Sequence, residues 1–240
     1  MSKRRVRYMT SQPFDTLSVE DTWGLEIEDV CTLIWEGKSA TIGYIRGKDY
    51  NARLLQFWVF HTFFPLVLAL SYRYKMFHVG GVSLGGKAIL FSAYSYGGKS
   101  TLTEYFLKQG HTILGDDTVA IDTSTQQYKA ISSYPFYRPF RLPETLGIFT
   151  ENFVQERLDL GAIYQLVQVD KDDDVKIIEL YGVEKFKALH AGDFIHFDFL
   201  KKAHLAYIAQ MAQAIPVYQI QIPWDKERLS EVYQAILTHN

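Results

Sequence analysis

The sequence predicts an α/β fold organised around a phosphate loop, with a small β layer at its N-terminal end. Three observations carry this expectation. The apolar run KAILFSA leads directly into a glycine-rich turn and then into a helical stretch, STLTEYFLKQG. On the far side of that helix a short apolar strand, HTILG, ends in the pair Asp116-Asp117. Ahead of both, the first fifty residues hold three short runs of strand character, TWGLEIED, VCTLIW and ATIGYIRG.

Composition narrows the class. A chain of 240 residues that is 48% hydrophobic is long enough to bury a sizeable core. Its net charge of −2 lacks the footprint of a general nucleic-acid binder. The single cysteine, Cys31, excludes an intramolecular disulfide and a cysteine-rich zinc site and accords with a reducing cytoplasm, the expected location. The basic cluster Lys3, Arg4, Arg5 and Arg7 reads as a solvated tail. It leads into SQPFDTLSVED rather than an apolar run, so no secretory signal is expected.

Element by element, VCTLIW and ATIGYIRG are joined by a turn at Glu36-Gly37-Lys38, completing a β layer over residues 1–50. Residues 51–240 are expected to form the nucleotide-binding unit. No repeat or linker separates the two, so the chain should pack as one body. An apolar helix starts near Asn51, and residues 54–72 carry no formal charge, a length that would cross a bilayer. Gln56, His61, Thr62, Ser71 and the central Pro65 argue instead for a core helix kinked or restarted at Pro65, and no membrane span is expected. FHVGGVSL and KAILFSA then make a hairpin through Gly85-Gly86. The helix after the loop closes at Gly110, and TVAID and YKAIS flank a hairpin tip, TSTQQ.

From Tyr134, YPFYRPFRLPE is aromatic, basic and broken by proline, as an ordered surface loop near the site would be. The aspartates of DKDDD, residues 170–174, alternate as in a calcium loop. Val175 and Tyr181 stand where that loop needs glycine and glutamate, so a solvated turn before the strand VKIIEL is expected. Helices around 183–189 and up to about Ala214, a strand PVYQIQIP and an amphipathic helix KERLSEVYQAIL complete the chain.

The chemistry concentrates in SAYSYGGKST, residues 92–101. It ends as a G-x-x-x-x-G-K-[ST] loop ends, in Gly98, Lys99 and Ser100, but holds Ala93 at the first glycine. In such a loop, backbone N–H groups and the helix N-terminus cradle phosphate oxygens. Lys99 would reach the β and γ phosphates, and the Ser100 hydroxyl would hold Mg²⁺. The alternative is a helix N-cap at Ser100 with no ligand. Adjacent strands of one sheet would bring Asp116 and Asp117 to the edge that carries the loop. One carboxylate could bind Mg²⁺ and the other accept a proton from an attacking hydroxyl, whereas a turn-capping Asp-Asp is the plainer reading. Neighbouring side chains on an extended strand face opposite ways, so the two should differ in role.

Residues 77–122, FHVGGVSLGGKAILFSAYSYGGKSTLTEYFLKQGHTILGDDTVAID, resemble the catalytic domain of HPr kinase/phosphorylase and the wider HPr-kinase-related group, which includes kinases of lasso-peptide precursors. The shared features are a histidine opening the strand before the loop, a loop close to G-x-S-G-x-G-K-S, and a glycine-terminated helix leading to Asp-Asp. His78 stands twenty-one residues before Lys99, and Asp116 sixteen after Ser100, in register with that pattern. A Y-P-x-x-R element at Tyr134, Pro135 and Arg138 and the strand VYQIQIP extend the resemblance.

The resemblance implies the P-loop fold of the HPr kinase and phosphoenolpyruvate carboxykinase nucleotide-binding domains. It also implies transfer of the γ-phosphoryl group of ATP, with Mg²⁺, to a hydroxyl such as a protein or peptide serine. Ala93, Tyr94, Ser95, Tyr96, Gly97, Gly98, Lys99, Ser100 and Thr101 would bind the nucleotide. Asp116 would be the general base, Asp117 with Ser100 the Mg²⁺ partner, and His78 would lie near the reacting phosphate. Arg138 and Arg141 would clamp phosphate or an acidic peptide, against the default of surface arginines. A homo-oligomer is compatible with the family's hexameric member. Ala93 and Tyr96 replace family glycines, and the IRGLGI signature of the bifunctional enzyme is absent, so HPr as acceptor and phosphorolysis are not implied. A non-catalytic nucleotide-binding or protein-interaction module of the same fold is the competing class. A carboxykinase-like enzyme is a third, with no substrate motif to support it.

Overall fold

The computed structural model describes residues 4–71, 73–94, 96–124, 127–138, 142–195 and 197–240. Strands β1 (Val6–Thr10), β2 (Thr22–Ile27), β3 (Cys31–Glu36) and β4 (Thr41–Arg46) form an antiparallel sheet in that order. Alternation places Trp23 opposite Trp35, Leu25 opposite Leu33 and Ile27 opposite Cys31, all buried on one face. That face is covered by α1 (Ala52–Trp58), a π-helical segment (Val59–Phe63) and α2 (Phe64–Leu70). Trp58, Phe63, Leu66, Val67 and Leu70 share its core. Asn51 starts α1 as its N-cap, accepting the Leu54 N–H at 2.9 Å.

This helical stretch is long and apolar enough to cross a membrane, and half of its most apolar window is buried within the protein. The irregularity expected at Pro65 is present: the π-helical segment ends at Phe63 and α2 restarts at Phe64, one residue before the proline. Pro65 lies inside this continuous helical run, and its missing N–H withdraws one helical hydrogen bond where the π-helical turn gives way to α2. Of the basic N-terminus, Lys3 lies outside the described residues, and Arg5 and Arg7 are exposed as expected, but the segment is no loose tail. Arg4 pairs with Asp49 at 3.1 Å and with Glu144 at 3.0 Å, and Arg7 follows in β1. Every residue of β1 is exposed, so this edge strand has no apolar pattern to announce it.

The large sheet is built from β5 (Tyr74–Phe77), β6 (Gly80–Leu84), β7 (Lys87–Ser92), β8 (Ile113–Gly115), β9 (Val119–Asp122) and β10 (Lys129–Ile131). The small hairpin β11 (Phe136–Tyr137) and β12 (Ile148–Phe149) follows, then β13 (Leu158–Val169), β14 (Lys176–Glu179) and β15 (Val217–Pro223). The order is β5-β9-β10-β13-β7-β6-β8, with β15 parallel to the C-terminal half of β13 and β14 antiparallel to β15. Strand β7 is covered on both faces, which is why its AILF run does not alternate. Ala88 and Leu90 join the core beneath α4 (Gly182–Gly192) and α5 (Lys201–Ala214). Ile89 and Phe91 join the core beneath α3 (Lys99–Lys108) and α6 (Leu229–His239).

Two features depart from the sequence reading. Strand β13, to which no element had been assigned, pairs with β7, β10 and β15 and so organises the sheet. A register shift between Leu160 and Ala162 breaks its alternation midway, and no single period fits the whole strand. Tyr134, expected on a surface loop, is buried with its hydroxyl 2.8 Å from His61 Nε2. Residues 170–174 do form an exposed turn, whose Lys171 and Asp173 carbonyls accept from Arg228 at 2.6 and 2.7 Å.

Candidate functional site

The sheet gathers the site at one edge. Strands β7 and β8 both pair antiparallel with β6. The C-terminal ends of β7 and β8 and the start of β6 therefore share that edge. The sequence leads one to expect these two strands side by side; β6 lies between them. His78 precedes β6, and its backbone is pinned by donating to the Gly192 carbonyl at 2.7 Å. Next to it the Phe194 N–H donates to Met76 O at 2.9 Å, stitching the end of α4 onto β5. Packing of α3 on β6 is close: a Cβ at Gly80 would lie 2.2 Å from the Thr103 hydroxyl.

Between β7 and α3 the chain turns sharply, with the Gly97 N–H donating to Tyr94 O at 2.9 Å. Gly98, the N-cap of α3, has φ +92°, which glycine adopts freely. Tyr96 has φ +64°, a conformation that costs an L-residue about 1 kcal/mol. A Cβ at position 97 would stand 2.7 Å from the Ala93 Cβ and 2.9 Å from Tyr94 O. The two lost glycines are thus accommodated differently: Ala93 fits because its neighbour across the turn is Gly97, and Tyr96 carries strain. Both Tyr94 and Tyr96 project into solvent. Lys99 is buried, and its ammonium donates to Ala93 O at 2.8 Å.

Asp116 is 3% exposed, and its Oδ2 accepts the Arg138 backbone N–H at 2.6 Å. Its Oδ1 is buried with no hydrogen-bond partner of ordinary geometry. Burial raises the pKa of this carboxyl, opposed by the Arg138 N–H and by the Ser100 hydroxyl. Asp117 has other partners. Its Oδ1 lies 3.4 Å from His78 Nδ1, and its Oδ2 accepts from the Arg138 guanidinium. Arg138 therefore grips both aspartates, one through its backbone and one through its side chain.

The structure brings His78, Lys99, Ser100, Asp116, Asp117 and Arg138 to one sheet edge, while Thr101 is exposed on the first turn of α3. Ser95 and Arg141, also expected at the site, lie outside the described residues. Sequence reasoning gave no role to Trp224, whose ring approaches Gly98. Among the described residues no group of three or more His, Cys, Asp or Glu forms a ready metal cluster. The site instead sets a buried ammonium and a helix N-terminus beside a buried carboxyl. That donor set suits phosphate oxygens together with a divalent ion.

No family model and no curated protein matches this sequence. Among solved structures, the HPr(Ser) kinase/phosphatase from Coxiella burnetii aligns with a TM-score of 0.42 and 11% identity, over 69% of this chain and 95% of that chain. At that score the likeness is distant, and what the site can do is decided by its own residues.

Proposed function

We propose that this chain is an HPr-kinase-like phosphotransferase that uses ATP and Mg²⁺ to phosphorylate a hydroxyl, serine of a protein or peptide foremost. The observation that carries the proposal is the meeting of a strand–loop–helix turn, ending in buried Lys99 and half-buried Ser100, with the carboxyl of Asp116. Phosphate oxygens would take the Lys99 ammonium that now donates to Ala93 O, along with the N–H groups that open α3.

Mg²⁺ fits this donor set: the Ser100 hydroxyl and Asp117 would hold it, with Asp117 shared with Arg138. Once bound, the ion would neutralise charge on the phosphates. Asp116 would take the proton of the attacking hydroxyl as the new O–P bond forms and the bond to the ADP oxygen breaks. A carboxyl whose pKa burial has raised is the better proton acceptor of the pair. Arg138 would keep both aspartates in place, and His78 would orient Asp117.

One observation favours the non-catalytic module: strained Tyr96 and its neighbour Tyr94 expose aromatic rings at the loop itself, as a protein-contact surface would. Calorimetric titration with Mg-ATP tests the nucleotide site, and phosphoryl transfer then separates the kinase from a module that only binds. Binding that Lys99→Ala abolishes supports the nucleotide site, and no binding at millimolar ATP sinks the kinase. If ATP binds, Asp116→Asn should keep affinity and lose phosphoryl transfer, and unchanged transfer would remove Asp116 as the base.

A further inference from the structure

We infer that Trp224 and the apolar cleft beneath it form the base-binding half of the nucleotide site, and that the ligand is a purine nucleotide. The inference rests on the phosphate-loop reading above and extends it to residues that the loop motif does not include.

The sheet order supplies the first argument. The groups suited to the reactive end of a nucleotide, Ser100 and Asp116, sit toward β6 and β8. A nucleotide lying across the loop must then point its nucleoside the other way, toward β13 and β15. Both strands run parallel to β7, so their C-terminal ends rise at the same edge. Ser92 ends β7 opposite Gln165, whereas β13 and β15 continue together to Val169 and Pro223. They thus stand above the loop as a wall, with Trp224 next in sequence at its top. The wall is tied to the loop by Gln168 Nε2 donating to Tyr96 O at 3.2 Å. Trp224 lies two strand spacings from β7, roughly 10 Å, about the reach from an α-phosphate to its base.

The second argument is a cavity in that place. It measures about 290 Å³; Leu102, Ile222, Pro223, Trp224 and Leu229 line it together with Gly98 and Thr101 of the loop and first helical turn. It opens at the N-cap of the phosphate-loop helix: the nearest atom to a Cβ built on Gly98 is Trp224 Cζ3, at 3.9 Å. The cleft is therefore continuous with the loop. Trp224 is 58% exposed although its neighbours Ile222 and Pro223 are buried, so an indole face is left for a planar ligand. A lining of aliphatic side chains and an indole suits a flat heterocycle, and a purine covers more of the indole than a pyrimidine does. Asp225 and Lys226 at the rim offer an acceptor and a donor to its edge.

Titration of the full chain with Mg-ATP and with Mg-tripolyphosphate tests this, because the second ligand has the phosphates and no base. Wild type should bind ATP the more tightly. Trp224→Ala should weaken ATP by roughly 5- to 150-fold, the range for losing one stacked base, and leave tripolyphosphate unchanged. Trp224→Phe should restore most of the loss. Unaltered thermal unfolding of the variants would show that this exposed side chain is not needed for folding. Equal affinity of wild type for both ligands, with Trp224→Ala indifferent, would overturn the base site and leave the phosphate loop standing. If wild type binds neither ligand, the phosphate loop fails and the base site falls with it.

Discussion

Asp117 accepts from the Arg138 guanidinium while lying 3.4 Å from Nδ1 of His78, so a single carboxylate joins the segment after β11 to the residue that opens β6. Two chain segments far apart in sequence are thereby locked at the edge that carries the loop. Arg138 has a side chain only 11% exposed, so its removal leaves Asp117 partly desolvated and short of a partner.

Arg138→Ala should therefore lower unfolding free energy by about 1–3 kcal/mol in urea titration. Phosphoryl transfer should fall with it, by at least about tenfold, because Asp117 loses its anchor while Asp116 keeps the backbone N–H of residue 138. Arg138→Lys should recover little of either, since an ammonium cannot reproduce the guanidinium fork. Wild-type stability in Arg138→Ala would show that this ion pair holds nothing.

Tyr96→Gly should stabilise the protein, by about 0.5–1 kcal/mol, because the left-handed backbone at φ +64° costs glycine nothing and the exposed ring makes no buried packing. Mg-ATP affinity should rise or hold in the same variant. Gly97→Ala should do the opposite, since its Cβ would stand 2.7 Å from that of Ala93. Comparing the two by thermal unfolding and titration separates loop strain from loop crowding.

The contrast between β7 and β13 explains how much of this was legible in the sequence. Strand β7 and the Gly85-Gly86 turn before it follow local rules, an uninterrupted apolar run and two residues with φ +57° and +77°. The loop, α3, β15 and α6 are similarly local. Strand β13 escaped because the register shift at Leu160/Ala162 splits its pattern, and β1 because both its faces are exposed. At the site, the spacing of His78, Lys99 and Asp116 could be read along the chain. The grip of Arg138 on both aspartates could not, because it depends on how the segment after Tyr134 docks. That docking is set by the buried contact of Tyr134 with His61, a tertiary event with no local signature. Trp224 was invisible for the same reason: only the sheet order brings it to Gly98.

Asp122 should make the fold sensitive to acid. Arg73 donates to it at 2.9 and 3.3 Å and Arg157 at 3.0 Å. The Arg73 hydrogen bonds, against the opposing effect of burial and with help from Ser124, hold its carboxyl well below the ordinary value of 3.8. The unfolded chain takes up a proton near pH 4 that the folded chain refuses. This contribution is therefore present above pH 4 and lost as the pH falls further. Asp122→Asn should be less stable than wild type at pH 7, by about 1–2 kcal/mol, and should show a flatter fall in urea midpoint below pH 4. Parallel acid profiles would remove Asp122 as a source of the dependence.

His61 should set a second, higher window. It is buried against Phe57 and Tyr134, and the Tyr134 hydroxyl lies 2.8 Å from its Nε2. Burial first, and then the nearby charge of Arg138, push its pKa from 6.5 down to about 4. The folded state thus keeps the imidazole neutral where the unfolded chain already protonates it. Between about pH 6.5 and pH 4 the unfolded state binds more protons, so stability falls as the solution is acidified through that range and levels off below it. The size of the shift corresponds to roughly 3 kcal/mol at the acid end. Urea unfolding from pH 8 to pH 4 should show this decline in wild type. His61→Gln, which keeps an acceptor for Tyr134 but cannot take a charge, should lose most of it, whatever its stability at pH 8. A variant that declines as steeply as wild type would place the titrating group elsewhere.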